Sequence, residues 1–160
     1  MATIRHAEPG DASAIAGLWN HIIRDTLVTF NSSEKPEAEV SGLIATRPGA
    51  FLVAEEAGEF LGFATFAQFR AGPGYAHTQE HTILLAPAAQ RRGLGRRLMA
   101  RLCDAARARG AHVLVAAISA ANPEGLAFHA ALGFREVARM PEVGRKFDAW
   151  HELVLMQRPL

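Results

Sequence analysis

Thr82-Ile83-Leu84-Leu85-Ala86-Pro87-Ala88-Ala89-Gln90-Arg91-Arg92-Gly93-Leu94-Gly95-Arg96-Arg97 is the stretch on which the reading of this chain turns. It begins as an apolar run and ends by opening an amphipathic segment that continues to Arg109. Two glycines one residue apart, where a strand hands over to a helix, let the main chain turn tightly and bring several N–H groups toward one point. The helix that starts there adds unpaired first-turn N–H groups and the positive end of its dipole, so a phosphate or pyrophosphate is the expected guest. Arg91, Arg92, Arg96, Arg97, Arg101, Arg107 and Arg109 crowd the same stretch against one acid, Asp104. The dinucleotide fingerprint G-x-G-x-x-G fails because its third position is Leu98, and a Walker loop fails for want of a lysine.

Outward from this turn, 160 residues with 49% apolar composition are enough for one domain around one core. A formal net charge of +1 argues against a general polyanion binder; the positive charge is local, which suits one phosphorylated ligand better than a nucleic acid duplex. No apolar run approaches the ~18 residues that span a bilayer, and the N-terminus lacks a basic-then-apolar leader, so the expectation is a cytoplasmic protein without a membrane partner. The single cysteine, Cys103, excludes an internal disulfide and a cysteine-based metal cluster. His77 and His81 lie four apart in a predicted strand, where they share no helical face, so no metal site is expected.

Before the turn, the pattern predicts a strand over 2–6, a helix from Asp11 with Ile15, Leu18, Trp19, Ile22 and Ile23 on one face, a link at 26–30, and a second helix from Pro36 to about Ala45. Strands at 51–55 and 60–69 form a hairpin through Glu56-Ala57-Gly58-Glu59, and a third runs over 78–85. After the turn, Leu94, Leu98, Leu102 and Ala106 mark the buried face of a helix that Gly110 ends. The apolar run 112–118 reads as a central strand buried on both faces and parallel to 78–85. This strand, helix, strand unit is a right-handed crossover with the glycine turn at the carboxyl edge of the sheet. A short helix from Asn122-Pro123 to Leu132 and strands at 134–139 and 151–156 follow, with 144–150 as a connecting turn.

The segment Q-x-x-G-x-G at Gln90 to Gly95, straight after a strand, resembles the acyl-coenzyme A pyrophosphate loop of the GCN5-related N-acetyltransferases (GNAT). The order of elements is similar to theirs along the whole chain. Tyr75, Thr78, Glu80, the strand Ile83-Leu84-Leu85, His129-Ala130-Ala131-Leu132-Gly133-Phe134, Val143-Gly144-Arg145-Lys146-Phe147, Trp150-His151 and Val28-Thr29-Phe30 are similar to the phosphinothricin acetyltransferase branch, which includes the methionine sulfone and sulfoximine acetyltransferases. The resemblance implies an α/β (α+β) single domain over residues 1–160, with a mixed sheet of about seven strands and about four helices. It also implies acetyl-CoA as acetyl donor, a small amine as acceptor, no metal and a homodimer. Two positions depart from the branch: Leu84 stands where an aromatic is common, and Ala149 lies between Asp148 and Trp150.

Acetyl transfer to an amine needs a coenzyme site, a neutral amine, stabilisation of an oxyanion, and a proton for the leaving thiolate. The main chain of Gln90, Arg91, Arg92, Gly93, Leu94, Gly95 and Arg96 is expected to hold the pyrophosphate. Ile83, Leu84 and Leu85 are expected to pair with the pantetheine arm as though it were another strand. The resemblance adds a bulge on this strand and an N–H near Leu84 that polarises the thioester. Asn122 either touches the pantetheine arm or caps its helix. Glu80, at the head of the coenzyme strand in apolar surroundings, is the candidate general base, against the alternative of a surface glutamate. His129, where many relatives place a tyrosine, is either the acid for the thiolate or a packed side chain. Arg70 and Tyr75 are candidates for an acceptor carboxylate. Phe30, Lys146 and Trp150 are pocket candidates carried over by the resemblance.

Overall fold

The computed structural model of the protein describes residues 1–160. Seven strands form one sheet in the order β1-β2-β3-β4-β5-β7-β6. β1 (Thr3–His6), β2 (Phe51–Glu56), β3 (Glu59–Gln68) and β4 (Thr78–Leu85) make an antiparallel meander. β5 (Val113–Ser119) runs parallel to β4, then pairs antiparallel with β7 (Ala149–Pro159), which pairs with β6 (Arg135–Lys146). The sheet is therefore mixed, with its only parallel pair at the centre.

Alternation along β3 and β4 divides the molecule into two layers. Ala64 and Phe66 of β3 belong to a core cluster with Leu98, Met99, Leu102, Cys103 and Ala106 of α3 (Leu94–Ala108). Phe63, one residue out of step, joins Ile15, Ala16, Trp19 and Ile23 of α1 (Ala12–Asp25) and Val40 and Ile44 of α2 (Glu37–Thr46) on the other face. Phe63 stacks on Phe51 at a centroid distance of 5.7 Å and meets the tilted Trp19 ring at 5.0 Å. Each fully buried side chain of this size contributes roughly 1.5–3 kcal/mol of burial. α4 (Pro123–Ala131) is short and covers the end of β5.

Two sequence-based expectations are corrected here. Residues 144–150 are not a connecting turn: β6 and β7 continue to Lys146 and from Ala149, and the turn is Phe147-Asp148, at φ 51° and 57°. Neither turn residue is glycine, whereas Gly144, the glycine of this segment, lies inside the strand and is paired with His151. The expected bulge on β4 does not occur on its β3 side, where the two strands pair in unbroken register from Gly62↔Leu85 to Gln68↔Gln79; the splaying expected of β4 lies on its other side, where the ladder to β5 stops at Glu80↔Val115. Register shifts fall instead between β2 and β3, at Ala54/Glu55, and between β6 and β7, at Glu136/Ala138 and Met140/Gly144.

Candidate active site

What opens the molecule is the divergence of β4 from β5. Their parallel ladder has only the pairs Thr78↔Val113, Gln79↔Leu114 and Glu80↔Val115. Beyond it the strands part, and a cavity of about 1010 Å³ lies between them, walled by Thr82 to Leu85 on one side and Ala116 to Ser119 on the other. Val115 is the last β5 carbonyl within the paired stretch, and the His81 side chain takes it, Nδ1 lying 3.0 Å from that oxygen.

At the far end of β4 the glycine turn behaves as its sequence predicts. Arg91 (φ 59°) and Gly93 (φ 76°) both take the left-handed conformation, and α3 starts at Leu94 with no side chain capping it. No main-chain N–H from Arg91 through Arg96 donates to another group of the protein; the first to do so is Arg97, to the Gly93 carbonyl at 3.3 Å. Such a run of free donors at a helix start is an anion site. The arginines divide by role. Arg91 pairs with Glu124 at 3.1 Å, Arg92 with Glu56 at 2.7 Å, and Arg97 donates to the Ala2 carbonyl at 2.7 Å. Arg96 lines the cavity and has no protein partner.

Glu80 lines the cavity at the point where the strands separate. No hydrogen bond or cation satisfies its carboxylate, and burial pushes its pKa above the usual glutamate range. A half-buried carboxylate without a partner, facing a cavity, has the character of a proton acceptor awaiting a donor.

His129 has both ring nitrogens partnered within the protein. It is buried on α4, with Nδ1 2.8 Å from the Gly125 carbonyl and Nε2 2.9 Å from Nε2 of His81. Burial holds both rings below the usual histidine range, His81 at about 3 with the help of its neighbour His129, so near pH 7 both are neutral. The contacts to the Val115 carbonyl, to the Gly125 carbonyl and between the two Nε2 atoms each call for a hydrogen, and two neutral rings carry only two, leaving none to offer a thiolate. The pair therefore ties β5, β4 and α4 together, and this favours packing over acid catalysis for His129. His81 was visible in the sequence only as a histidine without metal spacing; its inward position on a strand beside Glu80 was the signal.

Of the other sequence candidates, Phe30, Ile83, Leu84, Leu85, Gln90, Arg91, Gly93, Gly95, Arg96 and Asn122 line the same cavity. Asn122 caps α4, its side-chain oxygen accepting from the Gly125 N–H at 3.0 Å, and reaches the cavity as well. Leu94 is buried in a small core and Arg92 is tied to Glu56, so neither lines it. Arg70 and Tyr75 stand outside the cavity on an exposed loop, the guanidinium 5.4 Å from the ring centroid. Trp150 is exposed, carries Arg145 over its ring at 4.8 Å and does not line this cavity. Lys146 is buried and binds main chain, its Nζ donating to the carbonyls of Thr26 at 2.6 Å and Thr29 at 2.8 Å. Trp19, Ile22 and Ser119 join the lining without a sequence signal of their own, since each reads as core or strand end. No group of histidine, cysteine and acidic residues has metal-binding geometry, and Cys103 is a buried thiol whose pKa burial raises.

A model of the acetyltransferase (GNAT) family matches residues 15–134, from α1 through the glycine turn to Phe134. The chain belongs to the GNAT family. Among curated proteins it is 38% identical to the L-methionine sulfoximine/L-methionine sulfone acetyltransferase of Salmonella typhimurium, over 99% of this chain and 94% of that protein. It is 36% identical to the phosphinothricin N-acetyltransferase of Streptomyces coelicolor, over 98% of this chain and 95% of the relative. Among solved structures, the acetyltransferase yncA of Salmonella typhimurium, determined with its cofactor acetyl-CoA, superposes with a TM-score of 0.96 at 38% identity, covering 100% of this chain and 94% of that one. This GNAT chain is thus an N-acetyltransferase, with a seven-stranded mixed sheet and four helices as its family resemblance implies.

Proposed function

We propose that this GNAT enzyme transfers the acetyl group of acetyl-CoA to the α-amino group of a small amino-acid analogue, by direct attack in a complex holding both substrates. Methionine sulfone, methionine sulfoximine and phosphinothricin are the proposed acceptors. The observation that carries the reading is the placement of one unpaired carboxylate, Glu80, and one run of free amides, Arg91 to Arg96, on a single cavity between β4 and β5. The names of the relatives supply the acceptor class.

In this reading the amides and Arg96 hold the pyrophosphate, and the edge of β4 at Ile83 to Leu85 pairs with the pantetheine arm. The acetyl carbon then lies near Glu80. An amino acid ammonium, with a pKa of roughly 8, must lose a proton before its nitrogen can attack, and Glu80 takes it. The C–N bond forms, a main-chain N–H near Leu84 stabilises the oxyanion by roughly 3 kcal/mol, and the C–S bond breaks. The second proton, still on the cationic nitrogen of the adduct, passes through water to the departing thiolate, since the histidine pair has no hydrogen to spare. Asn31 and Thr29 are the polar lining residues beside Phe30 that can meet the acceptor's carboxylate.

Thiol release from acetyl-CoA, with product mass measured, tests this. Saturable turnover with at least one of the three analogues, and none with spermidine or a peptide N-terminus, is expected; turnover confined to the last two removes the acceptor assignment. We further propose a homodimer through the β6–β7 arm, which exposes Val137, Met140, Val143, Phe147 and Trp150. Sedimentation at twice the 17.2 kDa chain mass is the expected result, and a monomer at micromolar concentration contradicts it.

A further inference from the structure

Val28 to Asn31, in the connection between α1 and α2, form part of the cavity wall. This connection has no helix or strand of its own, and its shape is set by residues more than a hundred positions away. The Lys146 ammonium, 4% exposed, donates to the Thr26 and Thr29 carbonyls on either side of Val28. The Phe30 ring lies over Gly144, where an added Cβ would stand 2.2 Å from Cδ2 and 2.6 Å from Cγ of that ring. The same ring stacks on the His151 imidazole at a centroid distance of 5.5 Å. Gly144 and His151 are directly paired across β6 and β7, and His151 Nε2 donates to the Lys146 carbonyl at 2.8 Å. Phe30 is thus seated across one rung of the hairpin. Gly144, Lys146 and His151 themselves do not line the cavity.

A buried ammonium without a carboxylate persists only where other acceptors replace its water. Here both replacements come from the connection, so withdrawing them costs more than an ordinary loop contact. Gly144 has no left-handed φ, so its lack of a side chain is explained by the ring above it and not by the backbone.

We propose that Gly144 and Lys146 are specificity-determining positioning residues. By seating Phe30 and fixing the Thr26 and Thr29 carbonyls, they set the wall against which the acceptor packs; this rests on the reading that the cavity receives an amino-acid acceptor beside Glu80. Gly144→Ala unseats the Phe30 ring, and Lys146→Met releases the two carbonyls.

Two measurements on full-length, thermally stable variants test the proposal. Hydrogen exchange should quicken through residues 28–31 in both Gly144→Ala and Lys146→Met. The acceptor KM should rise roughly 10- to 100-fold, the scale on which small misplacements act, while the acetyl-CoA KM stays within about twofold. In a Phe30→Ala background, Gly144→Ala should cost nothing further, because the ring it displaces is gone. Unchanged exchange in both variants overturns the latch whatever the acceptor proves to be. So do additive effects of Gly144→Ala and Phe30→Ala, or an acetyl-CoA KM that moves with that of the acceptor. Wild-type protein that binds acetyl-CoA but turns over none of the amines overturns the acceptor reading instead, and the selectivity claim with it.

Discussion

Glu80→Gln lowers kcat for acetyl transfer by about 10²- to 10⁴-fold near pH 7 and leaves the affinity for acetyl-CoA within about twofold. The substitution keeps the size and polarity of the side chain and removes only its capacity to take a proton. Because burial raises the pKa of Glu80, the wild-type rate falls as pH drops through a value above the ordinary glutamate range of about 4.3. The deprotonated form is the base, so the limb lies on the acid side and activity grows with pH. In Glu80→Gln that limb disappears, leaving the acceptor ammonium as the titrating group. Calorimetry with acetyl-CoA and a pH profile of kcat/KM measure the two halves of this result. A variant that keeps its rate, or one that loses coenzyme affinity in proportion, removes Glu80 from the role of base.

Gly62→Ala destabilises the fold by roughly 3 kcal/mol and weakens acetyl-CoA binding in the fraction that remains folded. Gly62 sits in β3 at φ 154°, opposite Leu85 of β4. A Cβ there would stand 2.5 Å from the Leu84 carbonyl oxygen and 3.0 Å from the Leu85 Cα. These are main-chain atoms, so relief requires moving the strand, and the strand that moves is the one whose edge borders the cavity. Urea denaturation measures the first effect and calorimetry the second. An unchanged midpoint would mean that β4 yields without cost, against the tight β3–β4 register.

Much of this architecture was legible because its signals are local. The strand over 78–85 coincides with β4, and Leu94, Leu98, Leu102 and Ala106 are buried as their helical spacing predicts. The glycine turn was readable since its conformation favours glycine at position 93 and leaves a run of main-chain N–H groups free. Side chains whose partners are distant in sequence were not readable. Lys146 has the residue type of an anion binder, and its carbonyl partners at Thr26 and Thr29 lie in a different part of the chain. Gly144 resembles a turn glycine until Phe30 is placed over it. His129 invites an acid role by its position before Gly133, and the second histidine that occupies its Nε2 comes from β4. Arg70 and Tyr75 carry suitable chemistry near Glu80 in sequence, but neither lines the cavity.

Calorimetric titration of the ligand-free protein with acetyl-CoA, repeated with S-acetylpantetheine, tests most directly whether the turn at residues 90–96 anchors the donor. Binding to acetyl-CoA that is saturable at one per chain, and weaker by about 100-fold or more when the pyrophosphate is missing, is the predicted result, since several charge-assisted hydrogen bonds are lost together. No heat with acetyl-CoA, or equal affinity for the two compounds, would contradict it.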